Sequence, residues 1–289
     1  MLKMLKRTKS QIHKTLPQEF PLEINLQYPQ GPVPLHGHDF DELVLIQRGK
    51  GIHFTERDCL EIVAGDVFII RKGRRHGYRD TSNLHLVNIL FHLDAMNMPQ
   101  GELKKLPGYH ALFMIQPEIK GHARFRNRLQ LTPDQLAQAS GIIEEISNET
   151  GRRMPGYEFM ATAHFMRLSG FLSRCYSKMY EKNQIPMLKF ANVISHIEQH
   201  FREPLDIPGL LKMSSMSRST FFRAFRKSTG FSPIDYQLRL RISHASKLLK
   251  SEAYSVKEAA FMSGFQDSNY FSRQYRKLAG HPPREEIHQ

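Results

Sequence analysis

Phe221-Phe-Arg-Ala-Phe-Arg-Lys-Ser-Thr-Gly230 and Phe271-Ser-Arg-Gln-Tyr-Arg-Lys-Leu-Ala-Gly280 are one pattern written twice, fifty residues apart. Phe221 and Phe271, Arg223 and Arg273, Arg226 and Arg276, Lys227 and Lys277, and Gly230 and Gly280 coincide. Phe225 matches Tyr275 closely, and Pro233 and Pro283 extend the pairing. A self-match at a fixed period marks a duplicated structural unit. Each copy predicts helix, tight turn, helix. In the second, Val256, Ala259, Ala260 and Met262 share a short helix, Gly264 suits a left-handed turn, and Asp267-Ser268 can cap the helix after it. In the first, Leu210, Leu211 and Met213 form the leading helix and Ser217 caps its successor.

Helical spacing buries Phe221 with Phe225 and Phe271 with Tyr275. It turns Ser219, Phe222, Arg223 and Arg226 outward in one copy, and Asn269, Ser272, Arg273 and Arg276 in the other. An aromatic pair inward and an arginine-rich face outward is what a major-groove reader needs. A single charged helix face is more often merely solvated; the duplication of cap, aromatic pair and arginine argues against that here. Two such helices enter successive grooves on one DNA face if they sit about 34 Å apart. Tyr236, Leu240, Ile242, Ala245 and Leu249 predict a helical spacer between them.

The charge balance agrees. The 289-residue chain has 41 Lys+Arg against 28 Asp+Glu, a net +13. Residues 187–289 hold 16 of the bases and 9 of the acids, or +7 in about a third of the length. Such an excess implies a polyanionic partner, either nucleic acid or an anionic membrane surface. Two cysteines, Cys59 and Cys175, exclude a disulfide scaffold. Apolar runs such as Leu43–Ile46 and Val67–Ile70 fall far short of the roughly 20 residues that span a bilayer. No apolar stretch follows the basic Met1–Arg7. The expectation is a soluble chain in the reducing cytoplasm, with no membrane partner.

Upstream the period changes twice. Residues 131–182 are helical: Thr132-Pro-Asp-Gln135 is a capping box, and Leu136, Ala139, Ile143 and Ile146 recur at helical spacing. After Pro155-Gly156, a second stripe runs Phe165, Leu168, Leu172, Cys175, Met179. Either both stripes pack on the barrel, or the second is also a seam between protomers. Gln184-Ile-Pro186 is the expected linker. Residues 21–92 read as strands: Leu43–Ile46, Gly51–Phe54, Leu60–Val63, Val67–Ile70 and Leu84–Phe91, separated by Gly49-Lys-Gly51, Gly65-Asp66 and Lys72-Gly73. That rhythm predicts an antiparallel barrel or sandwich. The fold class is α+β: an N-terminal cupin-like antiparallel barrel with helices, then an all-α domain with two helix-turn-helix units.

Residues 187–284 resemble the DNA-binding domain of the AraC/XylS family of bacterial transcription regulators. Gly264-Phe-Gln-Asp-Ser-Asn-Tyr-Phe-Ser-Arg-Gln-Tyr-Arg-Lys-Leu-Ala-Gly-His-Pro-Pro283 carries the likeness. Asn269 before the tyrosine, Tyr275 for a phenylalanine, Pro282 for a threonine or serine, and Leu211 for the usual alanine depart from the family pattern. The resemblance implies bases read by Ser219, Phe222 and Arg223 from one helix, and by Asp267, Ser268, Asn269, Ser272 and Arg273 from the other. Arginine can bond guanine bidentately, asparagine suits adenine, and Phe222 suits a thymine methyl. Arg218, Arg226, Arg276 and Lys277 suit phosphate, which sets affinity and salt dependence but not sequence choice.

His36-Gly-His38-Asp-Phe-Asp-Glu42, then Gly49, matches the first motif of a metal cupin; Gly65 and Gly73-Arg-Arg-His76 match much of the second, with Arg71 where proline is usual. His36, His38, Glu42 and His76 therefore have the spacing of a three-histidine, one-carboxylate site. The same region resembles the effector-sensing cupin of AraC-type regulators, where the usual sense is a metal-free pocket. Three readings stand: His36, His38, Glu42 and His76, with Phe40 or Tyr78 as aromatic face, line an effector pocket with no cofactor; the four hold a metal; or they are simple surface polar residues. His53 and His92 read as isolated. Arg71, Arg75 and Arg79 either face the pocket mouth or are solvated loop charges.

Tyr28-Pro-Gln30, His38-Asp-Phe40, Gly49-Lys-Gly-Ile-His53, Asn83-Leu84, Asn88-Ile-Leu90 and Leu106-Pro-Gly108 look most like the L-rhamnose-type sugar-responsive members. The resemblance implies an activator rather than an enzyme, working as a homodimer on promoter DNA and RNA polymerase, with a sugar or derivative as effector. The division expected is an arm at 1–20, an effector barrel at 21–130, a dimerising helical segment at 131–183, and a DNA-binding domain at 187–289 with helix-turn-helix units at 205–230 and 255–280. The rival is a metal-dependent cupin enzyme or metal sensor fused to a DNA-binding domain. A further rival, a nonspecific DNA-coating protein, predicts equal binding to target and random DNA.

Overall fold

The structure, a computed structural model, describes residues 19–115 and 128–288, together with Leu16 and excepting Arg57, Asn97, Gln184 and Ile185. Most of the arm expected at 1–20, and the linker residues Gln184 and Ile185, lie outside the described residues. The chain divides into two compact units: residues 1–100 with 126–179, and residues 101–125 with 180–289.

The first unit is an antiparallel sheet of β1 (Leu22–Gln27), β2 (Val33–His36), β3 (Asp41–Thr55), β4 (Cys59–Val63), β5 (Asp66–Ile70), β6 (His76–Phe91) and β7 (Arg128–Gln130). β3 and β6 pair from Asp41 opposite Phe91 to Thr55 opposite His76. Their outer edges are shared out. β3 carries β5 along Glu42–Leu45 and β4 along Lys50–Phe54. β6 carries β1 along Leu86–Phe91 and β2 along His76–Tyr78. Two half-sheets thus share two long, bent strands. Val44, Ile46, Ile62, Phe68, Ile70, Tyr78, Leu84 and Leu86 pack together inside. Each such side chain contributes about 1.5–3 kcal/mol on burial.

The cupin-like architecture matches the sequence reading, but the strand count along it does not. Leu43–Ile46 and Gly51–Phe54 are one strand, and Gly49-Lys-Gly51 is no turn. Gly49 has φ +78, and a Cβ on it would stand 2.0 Å from the Asn83 carbonyl oxygen. The β3–β6 register slips repeatedly between Ile46 and Ile52. The glycines build a bulge that bends the strand in place of ending it.

Between β6 and β7 come two short helices, α1 (Gly101–Lys104) and α2 (Pro107–Tyr109), and a π turn at His110–Met114. The sequence reading runs the barrel to residue 130, yet this segment belongs with the C-terminal unit. Tyr109, Ala111, Leu112 and Phe113 are fully buried, an apolar face with helical spacing and no strand partner. It packs against the helix Pro186–Gln199, where Ser195 Oγ donates to the Lys105 carbonyl and Gln199 Nε2 donates to the same oxygen at 2.8 Å.

α3 (Pro133–Arg152) starts with the expected capping box, Thr132 and Gln135 satisfying each other's backbone N–H at 3.3 and 3.0 Å. α4 (Tyr157–Asn183) buries Phe165, Leu168, Leu172 and Cys175 within its own unit, with Phe165 5.0 Å from Phe91.

The second unit continues with α5 (Pro186–Gln199), α6 (Ile207–Ser214), α7 (Arg218–Thr229), α8 (Pro233–Lys250), α9 (Val256–Met262) and α10 (Ser268–Ala279), then a 3-10 turn at Pro283–His288. The repeat survives folding intact. α7 and α10 have the same twelve-residue length and the same limits at an offset of fifty. Both end on a left-handed glycine, Gly230 at φ +81 and Gly280 at φ +88, whose N–H groups donate to the Arg226 and Arg276 carbonyls respectively. Phe221 and Phe225 pack on Phe190 of α5. Phe271 and Tyr275 pack with Phe265, Ile242, Ala245 and Leu249. The leading helices differ: Ser215 takes the left-handed turn in one copy, at φ +54, and Gly264 in the other, at φ +88.

Candidate functional site

Two surfaces carry chemistry. The first is the outer face of α7 and α10. Ser217 Oγ accepts from Thr220 N at 3.4 Å, and Asp267 Oδ1 accepts from Asn269 N and Tyr270 N at 2.7 and 2.9 Å. These caps take up backbone N–H groups at the two helix N-termini, while Arg226, Lys227, Arg276 and Lys277 lie in the last turns. Arg218, Ser219, Arg223, Arg226, Asn269, Arg273, Arg276 and Lys277 are exposed, while Phe222, Ser268 and Ser272 are half-buried. The Arg218 guanidinium lies 5.5 Å over the Phe222 ring, a surface cation–π contact worth about 0.5–1 kcal/mol.

Two of the residues expected to read bases have internal work. Backbone N–H groups of Tyr270 and Asn269 hold the Asp267 carboxyl below the usual carboxylate range. Ser272 Oγ donates to the Ser268 carbonyl at 2.9 Å. Asp267 is ionised and partly engaged, and the Ser272 hydroxyl is turned back into its helix.

The second site lies inside the first unit. β3 and β6 place Glu42, His53, His76 and Tyr78 on inward positions, and the β2–β3 connection brings in His38. His38, Glu42 and His76 are 3, 4 and 1% exposed. His38 Nε2 lies 3.0 Å and His76 Nε2 3.7 Å from Glu42 Oε2. Phe40 stacks on the His38 ring at 4.3 Å, and the His36 ring lies 4.3 Å from that of His76. So the six residues singled out from sequence share one neighbourhood. His36 stays half-exposed at its margin, outside the group of donor atoms lying within 4.8 Å of one another: His38, Glu42 and His76.

His53, which reads as isolated in the sequence, belongs here. Its ring is 5.7 Å from His76 and 5.4 Å from Tyr78. The available signal was alternation: Gly51 and His53 share the inward face of β3. His53 Nε2 and the Tyr78 hydroxyl are buried without hydrogen-bond partners. Buried polar atoms normally have partners, so their placement in one cluster suits an incoming polar ligand.

The surroundings keep the His53 and His76 rings neutral. Burial, then the neighbouring imidazoles of His36, His53 and His38, hold His76 down at about 2. Burial, then His36, lowers His53 to about 4. Burial and the Glu42 carboxylate push the Tyr78 phenol well above its ordinary value. All three stay uncharged at neutral pH, and Tyr78 keeps a proton to donate. The loop arginines have other partners: Arg71 pairs with Asp41 at 2.7 Å, Arg75 with Glu56 at 3.0 Å, and Arg79 lies beside Asp80 and over Phe54.

Residues 24–157 match the model of the AraC-like ligand binding domain, and residues 210–288 match that of a helix-turn-helix domain. The HTH-type transcriptional activator RhaS of Escherichia fergusonii is 32% identical over 273 residues, covering 93% of this chain and 92% of that protein. The HTH-type transcriptional activator RhaR of Mannheimia succiniciproducens is 26% identical, with 93 and 92% covered. Among solved structures, the DNA-binding domain of AdpA in complex with a target DNA is 31% identical over 35% of this chain and 90% of that one, with a TM-score of 0.33.

Proposed function

The chain belongs to the AraC family of transcription regulators, and from that premise we propose that it is a one-component, sugar-responsive activator. The barrel takes the effector at His36, His38, Phe40, Glu42, His76 and Tyr78, joined by His53. The helices α7 and α10 read promoter DNA. Ser219, Phe222, Arg223, Ser268, Asn269 and Arg273 face bases, with Asp267 and Ser272 contributing what their internal bonds leave free. Arg218, Arg226, Arg276 and Lys277 hold phosphate. The protein works in the cytoplasm on promoter DNA and RNA polymerase.

The observation that carries the DNA half is the fifty-residue recurrence of α7 in α10, cap to cap, with an arginine at the same outward position in each. For the effector half it is the cluster of buried, unpartnered polar atoms beside aromatic rings. Neutral donors and acceptors with one carboxylate suit hydroxyl groups better than they suit a second anion. Effector binding shifts the balance between two arrangements only if its affinity differs between them. A homodimer contact falls naturally on the helical segment 131–183, where Met154, Phe159 and Met160 remain exposed.

The test is the thermal shift of the full-length protein against a panel of monosaccharides and sugar acids, followed by binding of selected operator DNA with and without each hit. A ligand at about 100 times its Kd adds roughly 2.7 kcal/mol. A specific reader prefers its operator over random DNA by at least about 10³-fold at physiological salt. Equal binding to both would leave only a DNA-coating role, and turnover of a hit compound would reopen the enzyme reading.

A further inference from the structure

α8 belongs to both helix-turn-helix units. Tyr236, in its first half, packs 5.5 Å from Phe225, and its hydroxyl donates to Glu198 of α5. Ile242, Ala245 and Leu249, in its second half, pack with Phe271 and Tyr275. Packing on a common helix sets the separation of two bodies along its axis; only a further tie, off that axis, stops each from rolling around it. Such a tie exists at residues 201–203, just past the end of α5. Arg241 Nε donates to the Phe201 carbonyl at 2.7 Å, and Arg241 Nη2 to the Arg202 and Glu203 carbonyls at 3.1 and 2.8 Å. Buried Gln237 donates to the Glu203 carbonyl at 2.7 Å. The loop so held meets the turn ahead of α10. Arg202 Nη2 lies 2.9 Å from His244 Nε2, and His244 Nδ1 lies 3.0 Å from Ser263 Oγ. A guanidinium only donates, so Nε2 accepts, and Nδ1 bears the ring proton and donates to the serine. Ser263 is fully buried at the end of α9. Beside it, a Cβ on Gly264 would stand 2.4 Å from the Arg202 carbonyl oxygen that Arg241 holds.

We propose that Gln237, Arg241 and His244 are positioning residues that fix α10 relative to α7, and so set the separation of the two DNA segments the protein accepts. The connection is continuous. α7 rests on α5 through Phe190, α5 runs into the loop that Gln237 and Arg241 hold, and His244 joins that loop to the turn before α10. The planar guanidinium fork of Arg241 suits several carbonyls at once, which an ammonium does not. Burial, then the charges of Arg202 and Lys247, lower His244 from its ordinary value, which favours the neutral ring that can accept and donate together. The consequence for DNA, which rests on the reading that α7 and α10 contact it together, is geometric. One added base pair turns the second segment by about a tenth of a helical turn and moves it by about 3.4 Å. A pair of helices tied at two points rejects that displacement, whereas a pair sharing only α8 follows it.

The experiment uses the full-length chain and the operator it selects from random DNA, with one base pair inserted or removed between the segments contacted by α7 and α10. Wild-type protein should lose at least about tenfold in affinity on either altered operator, the scale of one mismatched base pair. His244→Leu, which breaks the link from Arg202 to Ser263, and Arg241→Gln should lose about threefold or less, under half of that penalty in free energy. Base substitutions inside either segment should cost these variants what they cost the wild type. His244→Gln, which presents one acceptor and one donor in place of the two ring nitrogens, should restore the discrimination. Thermal melts report folding, and the milder double variant Gln237→Leu/His244→Leu stands in if Arg241→Gln does not fold. Full discrimination in that folded double variant overturns the proposal, as does a weakening equal on all three operators. A wild-type protein that selects its operator yet tolerates either altered spacing overturns the fixed separation and leaves the DNA reading standing. A wild-type protein that selects no operator overturns the DNA reading itself and the proposal with it.

Discussion

Ser217 and Asp267 occupy equivalent places fifty residues apart, each capping the N-terminus of a twelve-residue helix that presents arginine to solvent. The two use different chemistry for one task. The serine offers a hydroxyl to one backbone N–H; the aspartate offers one carboxylate oxygen to two. Ser217→Ala should destabilise the C-terminal unit by about 1 kcal/mol. Asp267→Asn should keep the cap and operator affinity, while Asp267→Ala should lower both. Chemical denaturation monitored in each variant checks the ranking, and equal losses for Asn and Ala would assign Asp267 a role beyond capping.

Arg223 and Arg273 should behave differently from Arg226 and Arg276. Arg223→Ala or Arg273→Ala should cost roughly 1–3 kcal/mol on the operator and little on random DNA. Arg226→Ala or Arg276→Ala should weaken both alike and reduce the salt slope of binding by about 1. Titrations at several salt concentrations separate the two behaviours. A uniform loss for Arg223→Ala would move that residue to the backbone-binding class.

Gly264 and Gly280 share φ +88 but not surroundings. A Cβ at Gly264 would stand 2.4 Å from the Arg202 carbonyl oxygen, whereas Gly280 has open space. Gly280→Ala should cost about 1–2 kcal/mol, the penalty of a left-handed residue alone. Gly264→Ala should cost more, because backbone must move as well. Thermal melts of both variants decide it, and equal costs would mean that the segment at Arg202 yields freely.

His110 should make the C-terminal unit sensitive to acid. Burial holds its imidazole down at about 4, and its Nε2 lies 2.5 Å from the Lys104 carbonyl oxygen. The folded chain resists the proton that the unfolded chain accepts near 6.5. Stability from this residue is therefore intact above 6.5 and falls as pH drops from 6.5 toward 4. Between about pH 7.5 and about pH 5 the loss is about 2 kcal/mol. His110→Gln, which keeps a donor without titrating, should lose that much less over the same interval. Parallel pH profiles for the two proteins would show that the His110 ring takes its proton inside the fold.

The helix-turn-helix pair was legible in the sequence because its determinants are local. Caps, aromatic spacing and terminal glycines lie within single turns of each helix, and the duplication repeated them. The histidine cluster was legible in part. The spacing of His38, Glu42 and His76 follows a local motif, whereas His53 joins only through the β3–β6 register, which a glycine bulge displaces. Gly49 and Gly51 look the same in sequence whether they end a strand or bend it; the Asn83 carbonyl that decides the matter lies far along the chain. The stripe of α4 was equally ambiguous, since a helix face reads the same whether its own sheet or a second protomer covers it.

The docking of residues 101–115 on α5 makes the C-terminal unit discontinuous along the chain. A truncated gene that begins at Pro186, the obvious place to cut, would discard Tyr109, Leu112 and Phe113 and strip the partners from Ser195 and Gln199. Grafts that exchange sensor halves between related regulators meet the same difficulty. A chimera joined at the helical linker would import a foreign 101–115 strap against the native α5. Swapped sensors should therefore function best when the strap travels with the DNA-reading half, not with the barrel that precedes it in sequence.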